Sequence, residues 1–412
     1  MNENYIKKYN NIINWGLLLF VVLNVFTNSI KILPNVFYYQ FLLIIELTLV
    51  GYLFIYCRKI YINITDVCFI IFVAIIQSLS YIITFFIDGY YCFDIHRLLI
   101  FILMIVVLFY VPKYSYINKQ YFENLLSGII ILGFLSCIYN IYSNWSIIKS
   151  FNIVNIMYYT SLFASFFNTR SNFCLLLCVS CAICLMRIKQ KKKIYYLLLY
   201  FFFMNILLTN ARTSIIVILG LIFIEFWKKC KNLLRGLIIF IFFVAVITFI
   251  EGNYFLSNFN DVINEYSLLF TRGDDFTNGR FELFEKAWNG TNIISFFIGH
   301  GIGSKDAYLT YIGSSIFSFH NMWIDIFFEG GILLLLIYIY FARYVILSLK
   351  ISKLNHEVKV FFYNLFFIVS VSGFGDAIAT PFLLDTSSIF STIILFTCPI
   401  CLLNGNNYQC DK

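Results

Sequence analysis

Apolar segments of about 16–22 residues recur along nearly the whole chain, and each is long enough, or nearly so, to cross a hydrocarbon core about 30 Å thick. That repetition leaves little choice of fold. Charged residues make up 12% of the sequence and hydrophobic ones 61%, against the roughly 25% and 45–50% of a soluble domain. The chain reads as an all-α polytopic membrane protein with about twelve transmembrane helices, residues 1–412 forming a single integral membrane domain. The spans fall near 13–33, 37–57, 66–87, 97–112, 123–143, 171–187, 194–209, 212–227, 236–251, 322–342, 359–378 and 382–403. Lys7 and Lys8 precede the first, which lacks a small-x-small cleavage site and therefore reads as a retained anchor.

Basic residues mark the sides. About two-thirds of the 29 lysines and arginines fall on one side of these spans, including Arg187, Lys189, Lys191, Lys192, Lys193, Lys228, Lys229 and Lys231. That side is the cytoplasm by the positive-inside rule, so both termini are expected there. The net charge of +8 is then a topology signal, and no nucleic-acid partner is indicated. The 12 cysteines lie almost wholly in spans or on the inner side, which excludes a disulfide-stapled outer domain.

One polar interruption, residues 252–321, stands between spans 9 and 10 and is expected to form a large extracytoplasmic loop, periplasmic or extracellular. A shorter outer segment, about 144–170, ends in SFFNTRSN and would bring Arg170 to the mouth of the same cavity. Within the long loop, GRFELFEKAW spaces Phe281, Phe284 and Trp288 as one face of an amphipathic helix, with Thr277 or Asn278 as its cap. Arg280 then sits in the first turn, where the helix dipole disfavours a cation unless an anion binds. Pairing with Asp274, Asp275 or Glu282 is the alternative.

Further features carry possible chemistry. Arg212 opens an otherwise apolar span, where it either snorkels to the interface or serves as a second cation for an anionic head group. His320 stands where the loop enters a span, followed at once by Asn321; histidine suits general-base work near neutral pH, and a structural interfacial histidine is the plainer reading. Asp325 and Glu329 follow one turn apart on the same helix, as intramembrane carboxylates with a functional or a helix-packing role. His300 lies in GHGIG, whose glycines form a turn or expose N–H groups to a phosphate. Cys174, Cys178, Cys181 and Cys184 line one helix, which cannot close a tetrahedral metal site by itself. No metal and no cofactor is indicated.

In this order, TNARTSIIV, GRFELFEKAW…FFIGHGIG and HNMWIDIFFEGG resemble the motifs of the O-antigen ligase and Wzy-type O-antigen or capsule polymerase superfamily. The resemblance implies a GT-C-like helical membrane fold and a metal-independent glycosyltransferase. Such an enzyme moves an undecaprenyl-pyrophosphate-linked glycan from donor to acceptor in the bacterial inner membrane. It implies catalytic roles for Arg212, Arg280 and His320, and substrate-binding roles for Arg170, Asn321, Asp325, Glu329 and His300. A chain-length regulator and a flippase are candidate partners beside the lipid bilayer. A repeat-unit polymerase is the leading expectation, a ligase acting on lipid A–core the nearest alternative. A transporter or flippase of lipid-linked sugars is the rival from another class, and Glu46, midway through the second span, fits it best.

Overall fold

In the computed structural model, the residues described are 64–95, 97–99, 119–149, 162–167, 169–227, 280–314 and 319–375, with a few positions between 101 and 105 and between 395 and 403. Among them the regular structure is helical throughout. The spans read at 13–33, 37–57 and 236–251, with Glu46, lie outside the described residues, as do most of 97–112 and 382–403 and the cap candidates Thr277 and Asn278.

Among the described residues, five helices are long and apolar enough to cross a membrane: Val67–Asp88, Phe122–Ser143, Arg170–Lys189, Met322–Ile351 and His356–Gly375. On the first, Ile71, Ile75, Leu79 and Ile82 form one stripe, each about half exposed. An apolar stripe turned outward is what a lipid-facing helix presents, since a hydrated face would carry polar side chains.

The chain forms two compact units, Met1–Ile130 with Phe284–Lys412, and Ile131–Leu283. In the first, α1 (Ile64–Ile83) runs into a π-helical turn, Thr84–Asp88, closed by Gly89 in the left-handed region. A second helix, α2 (Lys119–Ser143), begins here and packs Phe122 on Phe362.

The second unit is built around α3 (Arg170–Lys189), α4 (Ile194–Thr209) and α5 (Arg212–Trp227). Thr169 caps α3 by accepting from the Asn172 N–H, and Asn210, left-handed at φ 48°, ends α4. These short turns make neighbours antiparallel. Lys189 pairs with Glu225 at 2.7 Å, joining the end of α3 to the end of α5. Arg170 and Arg212 therefore share the opposite end. The centre of α3 is buried, with Cys174, Cys178, Cys181 and Cys184 fully enclosed as small packing residues. Asn140 on α2 donates to Asn205 at 3.3 Å, satisfying two buried amides in one contact.

The first unit resumes at Phe284 within α6 (Arg280–Asn289), and α7 (Ile293–Ile298) and α8 (Ser304–Tyr311) lead to α9 (Met322–Ile351) and α10 (His356–Gly375). On α6 the buried positions are Leu283 and Ala287, while Trp288 is 65% exposed and lies parallel over Phe327. Phe284, from the expected stripe, is half-buried beside them, and the side chain of Phe281 lies outside the described residues. Asn292 and Ser295 form a reciprocal capping box that starts α7. The α7 helix lies along α1 and α9, with Ser80 donating to the Ile298 carbonyl at 2.9 Å.

Candidate functional site

The organising feature is a break in α9. Gly331 has φ 65° and ψ −171°, so the 30-residue helix is two helices end to end. A break deprives carbonyls one turn earlier of their helical donors, and a buried carbonyl needs another. The GHGIG turn supplies them: His300 N–H donates to Phe328 O at 3.0 Å and Gly301 N–H to Glu329 O at 2.9 Å. A Cβ on Gly299 would strike the backbone of Glu329 and Gly330, and one on Gly331 the backbone of Phe297. The two glycines let backbone pass against backbone. GHGIG is therefore a turn, with the N–H groups of His300 and Gly301 already bonded.

Above the break, His320 enters α9 in the left-handed region, φ 53°, a strained backbone for a residue with a side chain. It is half-buried. Asn321 caps the helix, its Oδ1 accepting from the N–H groups of Trp323 at 2.9 Å and Ile324 at 3.2 Å. Its Nδ2 donates to the Phe374 carbonyl at 3.4 Å on α10. Both ends of the amide are thus engaged in holding the bend that presents His320.

One turn below, Asp325 is fully buried and accepts from Lys305 Nζ at 2.8 Å. One turn further, Glu329 is 2% exposed and its Oε1 has no hydrogen-bond partner. The next residue of α8, Asp306, pairs with Arg97 at 2.8 Å, and Arg97 also reaches Asp94 at 3.4 Å and the Gly303 carbonyl at 3.3 Å. Lys305, Asp306 and Arg97 were not singled out from sequence. The adjacent Lys–Asp pair just after GHGIG, in a chain so poor in charge, was the available signal.

His300 is fully buried, stacked on Phe328 with ring centroids 4.3 Å apart. Its Nδ1 lies 3.1 Å from Asp88 Oδ2, its carbonyl accepts from Thr84 at 3.1 Å, and its Nε2 has no hydrogen-bond partner. Asp88 in turn accepts from Asn292 at 2.9 Å. Around them, Tyr90 packs on Tyr308 and Tyr311 at centroid distances of 5.6 Å. Burial, followed by the Asp88 charge, raises the Tyr308 hydroxyl above its ordinary range; burial does the same to Tyr90 and pushes the Cys92 thiol up to about 12. These groups stay neutral at physiological pH.

In the second unit, Arg170 Nη1 donates to the Thr209 carbonyl at 3.5 Å, three residues before Arg212. Two of the three expected arginines thus share one end of a helical bundle. Arg280 begins α6 as its first residue, as expected from sequence. Among the described residues no group of His, Cys, Asp or Glu is arranged to hold a metal ion.

Helices long and apolar enough to cross a membrane, in a chain so rich in hydrophobic residues, suggest a multi-pass membrane protein. Residues 196–339 match the family model described as O-antigen ligase. That stretch, about a third of the chain, is what is similar to the O-antigen ligase family. It runs from the start of α4 to beyond the break in α9, so it takes in Arg212, Arg280, His300, His320, Asn321, Asp325 and Glu329, whereas Arg170 precedes it. No curated protein matches the chain.

Proposed function

We propose that this protein polymerises undecaprenyl-pyrophosphate-linked oligosaccharide repeat units into O-antigen or capsular polysaccharide. The growing glycan passes from its lipid pyrophosphate to a hydroxyl of the acceptor sugar, and undecaprenyl pyrophosphate leaves. Pyrophosphate is a competent leaving group, so the protein has chiefly to hold its charge and orient the acceptor. Arg212 and Arg280 hold that charge, with Arg170 beside Arg212; His320 orients the acceptor hydroxyl or takes its proton. No metal takes part. His300 and Asn321 bind substrate through what they position: Asn321 sets the bend at His320, and His300 anchors the turn that docks on α9. Asp325 and Glu329 extend the site into the helix.

The observation that carries this reading is His320, held half-buried in a strained bend at the entry of an apolar helix whose buried stripe continues as Asp325 and Glu329. Strain of that kind is retained where function requires a fixed side chain. The family match over the same residues points to the same chemistry. In this reading the chain crosses the bacterial inner membrane about twelve times in a GT-C-like fold. Both termini are cytoplasmic, the 252–321 loop faces outward, and a flippase and a chain-length regulator work beside it.

The test is a gel profile of surface polysaccharide from a strain lacking the gene, with and without the wild-type gene restored. Loss of the long ladder, with a single repeat still on lipid A–core or only short capsule units left, supports the polymerase. Bare core with long lipid-linked polymer accumulating identifies the ligase, and an unchanged profile refutes both.

A further inference from the structure

Thr209 is the last residue of α4 and is fully buried. Its hydroxyl donates to the Ile206 carbonyl at 2.7 Å and accepts the Ala211 N–H at 3.3 Å. Cys174 Sγ on α3 lies 3.0 Å from the same oxygen, and since the hydroxyl proton is already given to Ile206, the thiol is the donor there. A carbonyl in the last turn of a helix has no donor within that helix, and the Thr209 carbonyl takes one from Arg170 Nη1 at 3.5 Å. A single residue thereby joins α3, through Cys174 and Arg170, to the end of α4 and the entry of α5.

Resting on the polymerase reading, we propose that Thr209 is a positioning residue of the donor site: it sets Arg170 and Arg212 at one spacing, and the two guanidinium groups together hold the diphosphate of the lipid-linked donor. Thr209 itself touches neither the substrate nor the reacting atoms. Its hydroxyl closes the turn after α4, in which Asn210 is left-handed at φ 48° and Ala211 directly precedes Arg212, the first residue of α5. Its carbonyl holds Arg170, and because a guanidinium presents its donors in a rigid fork, a bond from one of them orients the others.

These contacts do more than end a helix. Asn210 in the left-handed region, with its N–H bonded to the Leu207 carbonyl at 3.0 Å, already terminates α4. What Thr209 adds is a tie sideways to α3 and forward to α5, the two helices that an arginine opens. The threonine is enclosed while both arginines are only half-buried, so the fixed point lies in the packed interior and the cations stay within reach of a ligand. A diphosphate suits a spaced pair of this kind, since it carries charge on two phosphoryl groups where a monophosphate offers one.

The experiment measures equilibrium binding of farnesyl diphosphate and farnesyl monophosphate to full-length protein in lipid nanodiscs, with a melting temperature for each variant. Wild type is expected to bind the diphosphate at least about tenfold more tightly, the size of one charge-assisted hydrogen bond. Thr209→Val keeps the side-chain shape without the hydroxyl and is expected to narrow that preference to within about threefold, while Thr209→Ser, which keeps the hydroxyl, recovers most of it. Arg170→Ala is expected to cost about tenfold in diphosphate affinity in the wild type and less than about twofold in the Thr209→Val background, a coupling that a purely structural threonine would not produce. Where Thr209→Val gives no folded protein, Thr209→Ala removes the same hydroxyl and carries the same expectation. A wild type that prefers the diphosphate, with the preference kept when the hydroxyl is removed, overturns the assignment alone, as do additive losses at Thr209 and Arg170. A wild type that binds both lipids equally overturns the hold on pyrophosphate in the polymerase reading, and the assignment with it.

Discussion

Replacing Lys305 with methionine tests how the buried stripe of α9 is held. Lys305 Nζ and Asp325 Oδ2 are 2.8 Å apart, with 13% of the lysine side chain exposed and none of the aspartate. An ion pair this enclosed gains little net stability over a well-packed apolar pair, yet removing one partner strands the other charge, at a cost of about 3–5 kcal/mol. Lys305→Met is therefore expected to raise the unfolding equilibrium constant by about two to three and a half powers of ten. Adding Asp325→Asn removes the stranded charge and should restore most of that loss. The pair Arg97–Asp306 serves as the internal comparison: its side chains are 23% and 35% exposed, so solvent screens it and Asp306→Asn should cost no more than about 1 kcal/mol. Unfolding measured by tryptophan fluorescence in mixed micelles gives all four values. If Lys305→Met costs less than about 1 kcal/mol, or the double variant is worse than the single, then the lysine is not what makes Asp325 tolerable and the reasoning fails.

Gly331→Ala and Gly299→Ala each place a methyl group against backbone at a positive φ, so both are expected to give far less folded protein, whereas Gly313→Ala, with open space around it, should lose only about 1–2 kcal/mol; protein yield by size-exclusion separates them. His320→Ala should abolish long polymer and His356→Ala, at the start of α10, should leave the polysaccharide ladder unchanged. Arg212→Ala and Arg280→Ala should each remove polymer at normal protein level, and a normal ladder from both would dismiss their hold on pyrophosphate. A chelator should leave turnover in nanodiscs unchanged; inhibition reversed by a divalent cation would contradict the metal-free reaction.

Helices with strong local boundaries were legible from sequence. The spans read at 194–209 and 212–227 coincide with α4 and α5 because Thr209, Asn210 and Arg212 interrupt apolar runs on both sides. The reading at 322–342 stopped short of Ile351, since Arg343 was taken as an inner boundary while the apolar pattern continues past it as Tyr344, Val345 and Leu347. Position on a face was less legible. On α6 the sequence pattern picked out Phe284 and Trp288 and did not mark Leu283 and Ala287, which the structure buries. Among the residues that carry the candidate site, His320, Asn321, Asp325 and Glu329 could be found because their order along one helix is local. Their partners could not: Arg97 meets Asp306 and Asp88 meets His300 across more than two hundred positions of sequence, joined by tertiary folding alone.

The break in α9 and the GHGIG turn explain each other. In the sequence EGGILLLL the two glycines read only as a small-residue step in an apolar helix, and a helix of that composition would run on. It breaks because the turn thirty residues earlier brings N–H donors to Phe328 and Glu329, so the carbonyls lose nothing when Gly331 leaves the helical region. The exchange also fixes geometry that an unbroken helix would not hold. Phe328, whose carbonyl takes the His300 N–H, stacks its ring on the His300 ring, and His300 Nδ1 lies 3.1 Å from Asp88 Oδ2 in the π turn that follows α1. Elements far apart in sequence thereby converge on the one turn of α9 that carries Glu329.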